Sequence, residues 1–118
     1  MGNTIIKKEN YTETGTLTPY IPGWTVEYAR YGNIVTVFIH TTNSSFAAWS
    51  TIEVCYLPQA LWPKVDTFGI ITMSGYYNQK YGDGTPTILV NKNNGLISIG
   101  IRNLTSSEGF DGSVTYII

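Results

Sequence analysis

A regular alternation of apolar and polar residues in the first half of the chain constrains the fold more than any other feature. Trp24, Val26 and Tyr28 alternate with Thr, Glu and Ala, and the segment 34–42 is β-branched nearly from end to end. A side-chain period of two is typical of a strand with one buried face. Residues 31–33, Tyr-Gly-Asn, include two residues that tolerate positive φ, so they predict a tight turn. The sequence therefore predicts an antiparallel hairpin here.

The same pattern continues through the rest of the chain, which has 118 residues. A second tight hairpin is predicted at residues 93–95, Asn-Asn-Gly, and no long window has helical periodicity. The further strands are predicted at Thr51–Leu57, Thr67–Ser74, Thr87–Asn91, Leu96–Arg102 and Ser113–Ile118. About seven strands, separated by turn signals roughly every 8–12 residues, predict an all-β fold: an antiparallel, jelly-roll-like β-sandwich.

Two segments are predicted to lie outside the strands. Leu57–Pro63 contains two prolines, which cannot donate ladder hydrogen bonds, so it is predicted to be a crossover. Leu57, Leu61 and Trp62 are expected to pack it against the edge of the sandwich. Residues 1–14 are polar and weakly patterned, which predicts an N-terminal connector or lead-in. Residues 15–118 then form one domain of ordinary size.

Charge and hydropathy exclude two classes of partner. Seven basic and eight acidic residues are scattered without runs, whereas nucleic-acid binding needs a clustered basic face. No apolar run approaches the ~20 residues of a membrane span, and no apolar stretch follows Lys7 and Lys8 as a signal peptide requires. We therefore expect synthesis in the cytoplasm and no membrane insertion. Only 13% of residues are charged, so the surface must be rich in Thr, Ser, Asn, Gly and Tyr, as on lectins and adhesive tips.

The sequence predicts no catalytic residue and no cofactor. His40, the only histidine, lies in an alternating strand, where a place on the sheet surface is favoured over the role of a general base. Cys55 is a lone thiol in a strand and is expected to pack as a small apolar residue. Glycoside hydrolysis needs two facing carboxylates, and no pair among the eight acidic residues can be placed together from the sequence.

Metal binding is not predicted either. The chain has no His/Cys cluster of the kind that binds zinc. Asp83-Gly84 and Asp111-Gly112 have two interpretations, as parts of calcium loops or as simple turns. Asp-Gly is more commonly a turn, so we predict turns at both places.

Three segments, taken in order, resemble a known family. Gly23–Val37 is similar to the "W-x-V-x-Y-x-R-x-G-N-x-V" opening of phage tail-tip domains. Leu57–Pro63 is similar to the "L-P-x-x-x-x-P" element of the same domains. Val90–Ile99, which contains Asn94-Gly95, is similar to their "I-x-x-x-G-x-I" hairpin. The chain thus resembles, over about 15–118, the C-terminal head domain of tail-fibre, baseplate and minor structural proteins from phages of Gram-positive hosts.

The resemblance implies a non-enzymatic, homotrimeric receptor-binding domain at the tail tip of a virion. Its expected ligand is cell-wall polysaccharide or teichoic acid, bound through inter-strand loops, and its expected protein partners are other tail or baseplate proteins. Trimer formation would cover apolar faces and sheet edges, and three weak sites held together gain avidity. The alternative is a structural or assembly module of a virion or appendage that binds protein rather than glycan.

One long loop carries most of the candidate carbohydrate-binding residues. Aromatic rings stack on the apolar face of a sugar ring, while amide and carboxylate groups hydrogen-bond its hydroxyls. The loop between the predicted strands 67–74 and 87–91 offers such groups, and Lys80 is suited to a phosphate of an anionic wall polymer. The candidates are Tyr76, Tyr77, Asn78, Gln79, Lys80, Tyr81 and Asp83. The competing interpretation is that Tyr76 and Tyr81 cap the core.

A second polar loop, 43–50, contains two aromatic residues, Phe46 and Trp49. Trp49 is included among the candidate ligand-binding residues. The interpretation favoured for both rings is that they pack against the core or against a neighbouring subunit. Trp24 is predicted to lie in the core.

Overall fold

The computed structural model describes residues 12–41, 44–45, 47–73, 86–102, 106–107 and 109–118. The described residues form ten β-strands and one short 3₁₀ helix, Gln59–Leu61. The strands are β1 Thr12–Leu17, β2 Trp24–Tyr31, β3 Ile34–Thr41, β4 Ser44–Ser45, β5 Thr51–Tyr56, β6 Thr67–Met73, β7 Thr87–Val90, β8 Leu96–Gly100, β9 Ser106–Ser107 and β10 Phe110–Ile117. The seven strands predicted from the sequence are all present, and β1, β4 and β9 are additional.

Eight of the strands are hydrogen-bonded in the order β1-β2-β3-β10-β6-β7-β8-β5, with every pair antiparallel. Strand β6 joins the two halves of this order because its first four residues pair with β7 and its last three with β10. Gly69 permits the close approach to β10, since a Cβ there would lie 2.7 Å from the carbonyl oxygen of Ser113. The sheet thereby divides into two layers, β1-β2-β3-β10 and β7-β8-β5.

One long two-stranded ribbon connects the two layers. Its pairing begins at Ile34↔Ile117 in β3 and β10, continues through Ser45↔Ser106 in β4 and β9, and reaches Thr51↔Gly100 in β5 and β8. The register is the same in all three pairings, and among the described residues it shifts only at a bulge between Glu53 and Cys55. The ribbon therefore has the arrangement of a folded hairpin, as in jelly-roll sandwiches. We call its described residues between the two layers, 44–45, 47–50, 101–102, 106–107 and 109, the corner.

The hydrophobic core lies between the two layers. Valine and isoleucine dominate it, as expected for strands whose inward positions alternate with polar ones. The fully buried side chains include Val26, Val35, Val37 and Ile39 of the first layer, and Val54, Ile88, Val90, Ile97 and Ile99 of the second. Trp24 and Cys55 are also buried in this cluster, which confirms both predictions. Burial raises the pKa of the Cys55 thiol to about 11.

Tight turns close the other end of the sandwich, which we call the turn end and define as residues 31–34, 57–63 and 91–96. Gly32 and Gly95 have φ values of +61° and +72°, as the two predicted hairpin turns require. The Gly95 amide donates to the Asn91 carbonyl at 2.8 Å, and the Ile118 amide donates to the Asn33 carbonyl at 2.9 Å. Both predicted turns are confirmed.

The predicted crossover also lies at the turn end and is held in place by hydrogen bonds. Leu57 and Leu61 are buried, and Trp62 is half-buried with its indole Nε1 donating to the Leu57 carbonyl at 2.9 Å. From the opposite layer, the Tyr116 hydroxyl donates to the Leu61 carbonyl at 2.7 Å. Burial of this phenol raises the pKa of Tyr116 above its ordinary value. The crossover thus ties the two layers together.

Strand β1 corrects the predicted connector, because residues 12–14 belong to a strand that pairs with β2 along its length. Two contacts explain why β1 lacks the apolar pattern of a strand. The Tyr28 ring covers Gly15 so closely that a Cβ there would lie 2.6 Å from the ring. The Tyr28 hydroxyl donates to the Glu13 carboxylate at 3.0 Å. A glycine and a carboxylate therefore occupy inward positions that are usually apolar.

The predicted turn at Asp111-Gly112 is also wrong. Both residues lie in β10, which begins at Phe110 rather than at Ser113. Asp111 is directly opposite His40 of β3, and the Asp111 carboxylate contacts the imidazole Nδ1. A cross-strand ion pair explains why this residue continues the strand, because its side chain has a partner on the neighbouring strand.

Candidate functional site

The loop that was predicted to bind carbohydrate lies outside the described residues. This applies to Tyr76, Tyr77, Asn78, Gln79, Lys80, Tyr81 and Asp83, and equally to Phe46. The two ends of the loop are nevertheless described. Met73, before it, pairs with Phe110 of β10, and Thr87, after it, pairs with Gly100 of β8. Both attachment points therefore lie where the ribbon enters and leaves the corner.

Trp49 lies at the same corner. It precedes β5 by two residues, and Thr51 at the start of β5 pairs with Gly100, which also pairs with Thr87. Strand pairing thus places the exposed tryptophan two residues from the row that contains Thr87, where the long loop ends. Of the predicted site residues, Trp49 is the one whose position the structure describes.

The backbone of the corner holds Trp49 in a defined position. The Trp49 amide donates to the Arg102 carbonyl at 2.9 Å, and the Ile101 amide donates to the Ser50 carbonyl at 2.8 Å. The Ser50 hydroxyl donates a hydrogen bond to the Ala47 carbonyl. Trp49 has a φ of +60°, in the left-handed region, which costs a non-glycine residue about 1 kcal/mol or more. The hydrogen bonds on both strands of the ribbon offset this cost.

Trp49 is 64% exposed, so its ring does not pack against the core of its own chain; packing against a neighbouring subunit, the other half of that expectation, stays a prediction. Its contact is with Arg102, whose guanidinium carbon lies 5.5 Å from the ring centroid. This is a cation–π arrangement, in which the positive charge lies over the electron-rich face of the indole. The sequence analysis did not identify Arg102, because only the ribbon register places it opposite Trp49.

An exposed aromatic ring beside a cation can perform two kinds of recognition. The indole offers a flat apolar surface to a sugar ring or another planar group. The guanidinium carries a permanent positive charge and five hydrogen-bond donors, which suit carboxylate or phosphate groups. The corner is therefore equipped for a ligand that combines an apolar face with oxygen acceptors or negative charge.

His40 and Asp111 form the ion pair on the outer face of the first layer, where their side chains are 56% and 62% exposed. The predicted place of His40 on the sheet surface is confirmed. The Asp111 carboxylate fixes the orientation of the His40 imidazole. The β3 backbone around His40 is hydrogen-bonded to β2 on one side and to β10 on the other.

Two further findings concern the described part of the chain. It contains no cluster of three or more His, Cys, Asp or Glu side chains arranged to hold a metal ion. None of its helices has the length and apolar character needed to cross a membrane. Comparison with known proteins adds no relative: no protein-family model and no curated protein sequence matches this chain.

Proposed function

We propose that this chain is a non-enzymatic host-recognition domain that binds cell-surface carbohydrate at the corner of the sandwich. In this proposal Trp49 stacks on a sugar ring and Arg102 meets an acidic group of the polymer. The ligand class is a wall polysaccharide or teichoic acid of a Gram-positive host, in keeping with the family resemblance of the sequence. The further candidate residues, Tyr76 to Asp83, lie outside the described residues and stay a prediction of the sequence.

The exposure of Trp49 is the observation that carries the proposal. A tryptophan side chain that is 64% exposed forgoes much of the burial that normally stabilises a protein. Its backbone also has an unfavourable φ of +60°. Unfavourable backbone geometry of this kind is concentrated at functional sites. Loops on a rigid β scaffold are also where binding residues are usually found.

Sedimentation with insoluble cell walls from a panel of Gram-positive bacteria tests this proposal. We expect the protein to bind the walls of at least one member, and Trp49→Ala to lose about fivefold or more in affinity, since stacking on an aromatic ring contributes roughly 1–3 kcal/mol. Phe68→Ala is the matched control, because Phe68 is 69% exposed but lies in β6 opposite Leu89 of β7, outside the corner and the apolar row of the first layer. Equal binding by both variants, or no binding to any wall, would refute the proposal.

The same proposal places the domain in a homotrimer at the tail tip of a virion, with tail or baseplate proteins as neighbours. An apolar row on the outer face of the first layer supports an assembly of this kind. Tyr31, Ile34 and Ile117 are neighbours across three strands and are 58%, 48% and 61% exposed. Light scattering decides the point: a trimer of the 13.1 kDa chain is expected, and a monomer at high concentration would contradict it.

The apolar row also favours the second candidate function, a structural or assembly module that binds protein. An exposed apolar patch rimmed by polar residues is typical of a protein interface. Replacement of Ile34 and Ile117 by Ser separates the two functions. If the double variant loses assembly but each subunit still binds walls through Trp49, recognition of carbohydrate is retained. If assembly is lost and the parent protein binds no wall at all, the structural module is the better account.

A further inference from the structure

We infer that the outer face of the first layer carries a second, separate binding site, which takes a neutral sugar ring. The site is an open groove of about 280 Å³ over β1, β2 and β3. Its lining consists of Thr14, Gly15, Thr16, Glu27, Tyr28, Ala29 and Phe38. This inference does not rest on the proposed role of the corner, since it involves no residue of that region.

The strand register explains how the groove forms. Phe38 of β3 lies opposite Glu27 of β2, which in turn lies opposite Thr16 of β1. In the adjacent row, Ala29 lies opposite Thr14. The small side chain of Ala29 leaves a depression between larger neighbours in both rows. A depression on a rigid antiparallel sheet is already formed before a ligand arrives, so binding does not require ordering of the chain.

The chemistry of the lining matches a polyhydroxylated ring. Phe38 is 46% exposed on a sheet face, where its aromatic surface is available to the apolar side of a pyranose. The Glu27 carboxylate accepts hydrogen bonds from hydroxyl groups, and such charge-assisted bonds are about twice as strong as neutral ones. The threonine hydroxyls of β1 both donate and accept. A few oriented polar groups around an apolar surface are what small-molecule sites use.

Charge and size decide which sugar the groove takes. The described residues that line it include one carboxylate and no basic side chain, so the groove disfavours phosphate and carboxylate groups. The corner carries the positively charged Arg102 and therefore favours phosphate and carboxylate groups. The volume lies at the lower limit of about 300 Å³ found for small-molecule sites, which fits a single ring rather than a stretch of polymer. The occupant is therefore a neutral hexopyranose, either free or at the end of a glycan.

Nuclear magnetic resonance titration of the ¹⁵N-labelled full chain tests this inference directly. The probes are the methyl glycosides of glucose, galactose, mannose and N-acetylglucosamine. We expect at least one of them to produce saturable shifts of the Gly15, Ala29 and Phe38 amide signals. Absence of saturable shifts with all four would overturn the inference. Tighter binding of tetramethylammonium than of any sugar would also overturn it, since it would assign the groove to cations.

Two variants and one control complete the test. Phe38→Ala is expected to weaken binding about tenfold, and Glu27→Gln about fivefold, because the amide is a weaker acceptor of similar shape. Thr25→Ala is the control, since Thr25 lies on the same exposed face of β2 as Glu27 but outside the groove. Unchanged binding in both groove variants would refute the assignment.

A Trp49→Ala titration distinguishes this site from the corner. Retained sugar shifts in that variant support a separate groove, whatever the result of the wall-binding experiment. Loss of the shifts would contradict the separation of the two sites.

Discussion

The turn end and the corner of this sandwich are built in opposite ways. At the turn end the connections are short, two glycines adopt positive φ, and backbone and side-chain hydrogen bonds close each turn. At the corner the same ribbon continues with its register unchanged, yet it carries a tryptophan with positive φ and a largely exposed ring. The crossover at the turn end has Leu57, Leu61 and Trp62 packed or hydrogen-bonded within the fold, whereas the corner presents Trp49 to solvent.

This difference suggests that the turn end mainly stabilises the domain and that the corner mainly binds its ligand. Residues at the turn end contact both layers, so a change there should alter the free energy of unfolding. Trp49 contacts Arg102 and little of the core, so a change there should alter binding much more than stability. The variants below test this separation, beginning with the largest expected effect on stability.

Gly95→Ala should produce the largest loss of stability. A Cβ at this position would lie 2.2 Å from the indole Nε1 of Trp62, and the backbone φ is +72°. Left-handed strain and overpacking together should cost about 3 kcal/mol of unfolding free energy, measured by urea denaturation. Gly23→Ala is the matched control, because Gly23 has a φ of +86° but nothing within 4 Å of the added Cβ. It should lose only about 1 kcal/mol. Equal losses in the two variants would show that the Trp62 contact is unimportant.

Tyr116→Phe should have the next largest effect. It removes the hydroxyl that donates to the Leu61 carbonyl at 2.7 Å and leaves that acceptor without its bond between the two layers. The expected loss is about 1–2 kcal/mol in the same denaturation experiment. Tyr31→Phe, on an exposed ring at the same end, should change stability by less than about 0.5 kcal/mol. A Tyr116→Phe protein as stable as the parent would refute the role assigned to this hydrogen bond.

Trp49→Ala should have the smallest effect among these substitutions. It removes a cation–π contact at an exposed site and relieves none of the left-handed strain, so a loss below about 1 kcal/mol is expected. Arg102→Gln should change stability by a similar amount. A loss of several kcal/mol in Trp49→Ala would show that the corner stabilises the fold as the turn end does, which would contradict the difference between the two regions.

The buried thiol of Cys55 predicts a modest dependence of stability on alkaline pH. The pKa is raised from 9.0 to about 11 on folding, so the unfolded chain ionises first as the pH rises. The contribution of this group is therefore fully present below pH 9 and is lost between pH 9 and pH 11. Comparison of the parent with Cys55→Ala isolates the thiol from Tyr116, which also titrates in the alkaline range. An identical pH profile for the two proteins would contradict the prediction.

The regular parts of the fold were accessible to sequence analysis because they depend on local signals. Seven strands followed from a side-chain period of two, and the turns from Gly95 and Gly32. Strand β1 was missed because Glu13 and Gly15 occupy its inward positions, and the start of β10 was missed because Asp-Gly usually marks a turn. Both errors have one cause: the partner that stabilises the residue lies on another strand, at Tyr28 or at His40.

The candidate site was harder to predict from the sequence than the fold was. Trp49 was identified by its residue type, but its exposure depends on a positive φ that the sequence does not encode for a tryptophan. Its contact with Arg102 depends on a register that is maintained through the corner over a long separation in sequence. The groove at Phe38 follows from the small Ala29 beside it on another strand. Residue types that bind ligands can be recognised from the local sequence, whereas which of them lie close together depends on the pairing of strands in the sheet.

The most direct test of this account is a titration of the ¹⁵N-labelled protein with solubilised wall polysaccharide or teichoic acid from a Gram-positive strain whose walls it binds. The account predicts shifts of the Trp49 indole signal and of the Ser50 and Arg102 amides, with Gly32 and Gly95 at the turn end unchanged. Shifts centred on the turn end, with the Trp49 signal unaffected, would contradict it.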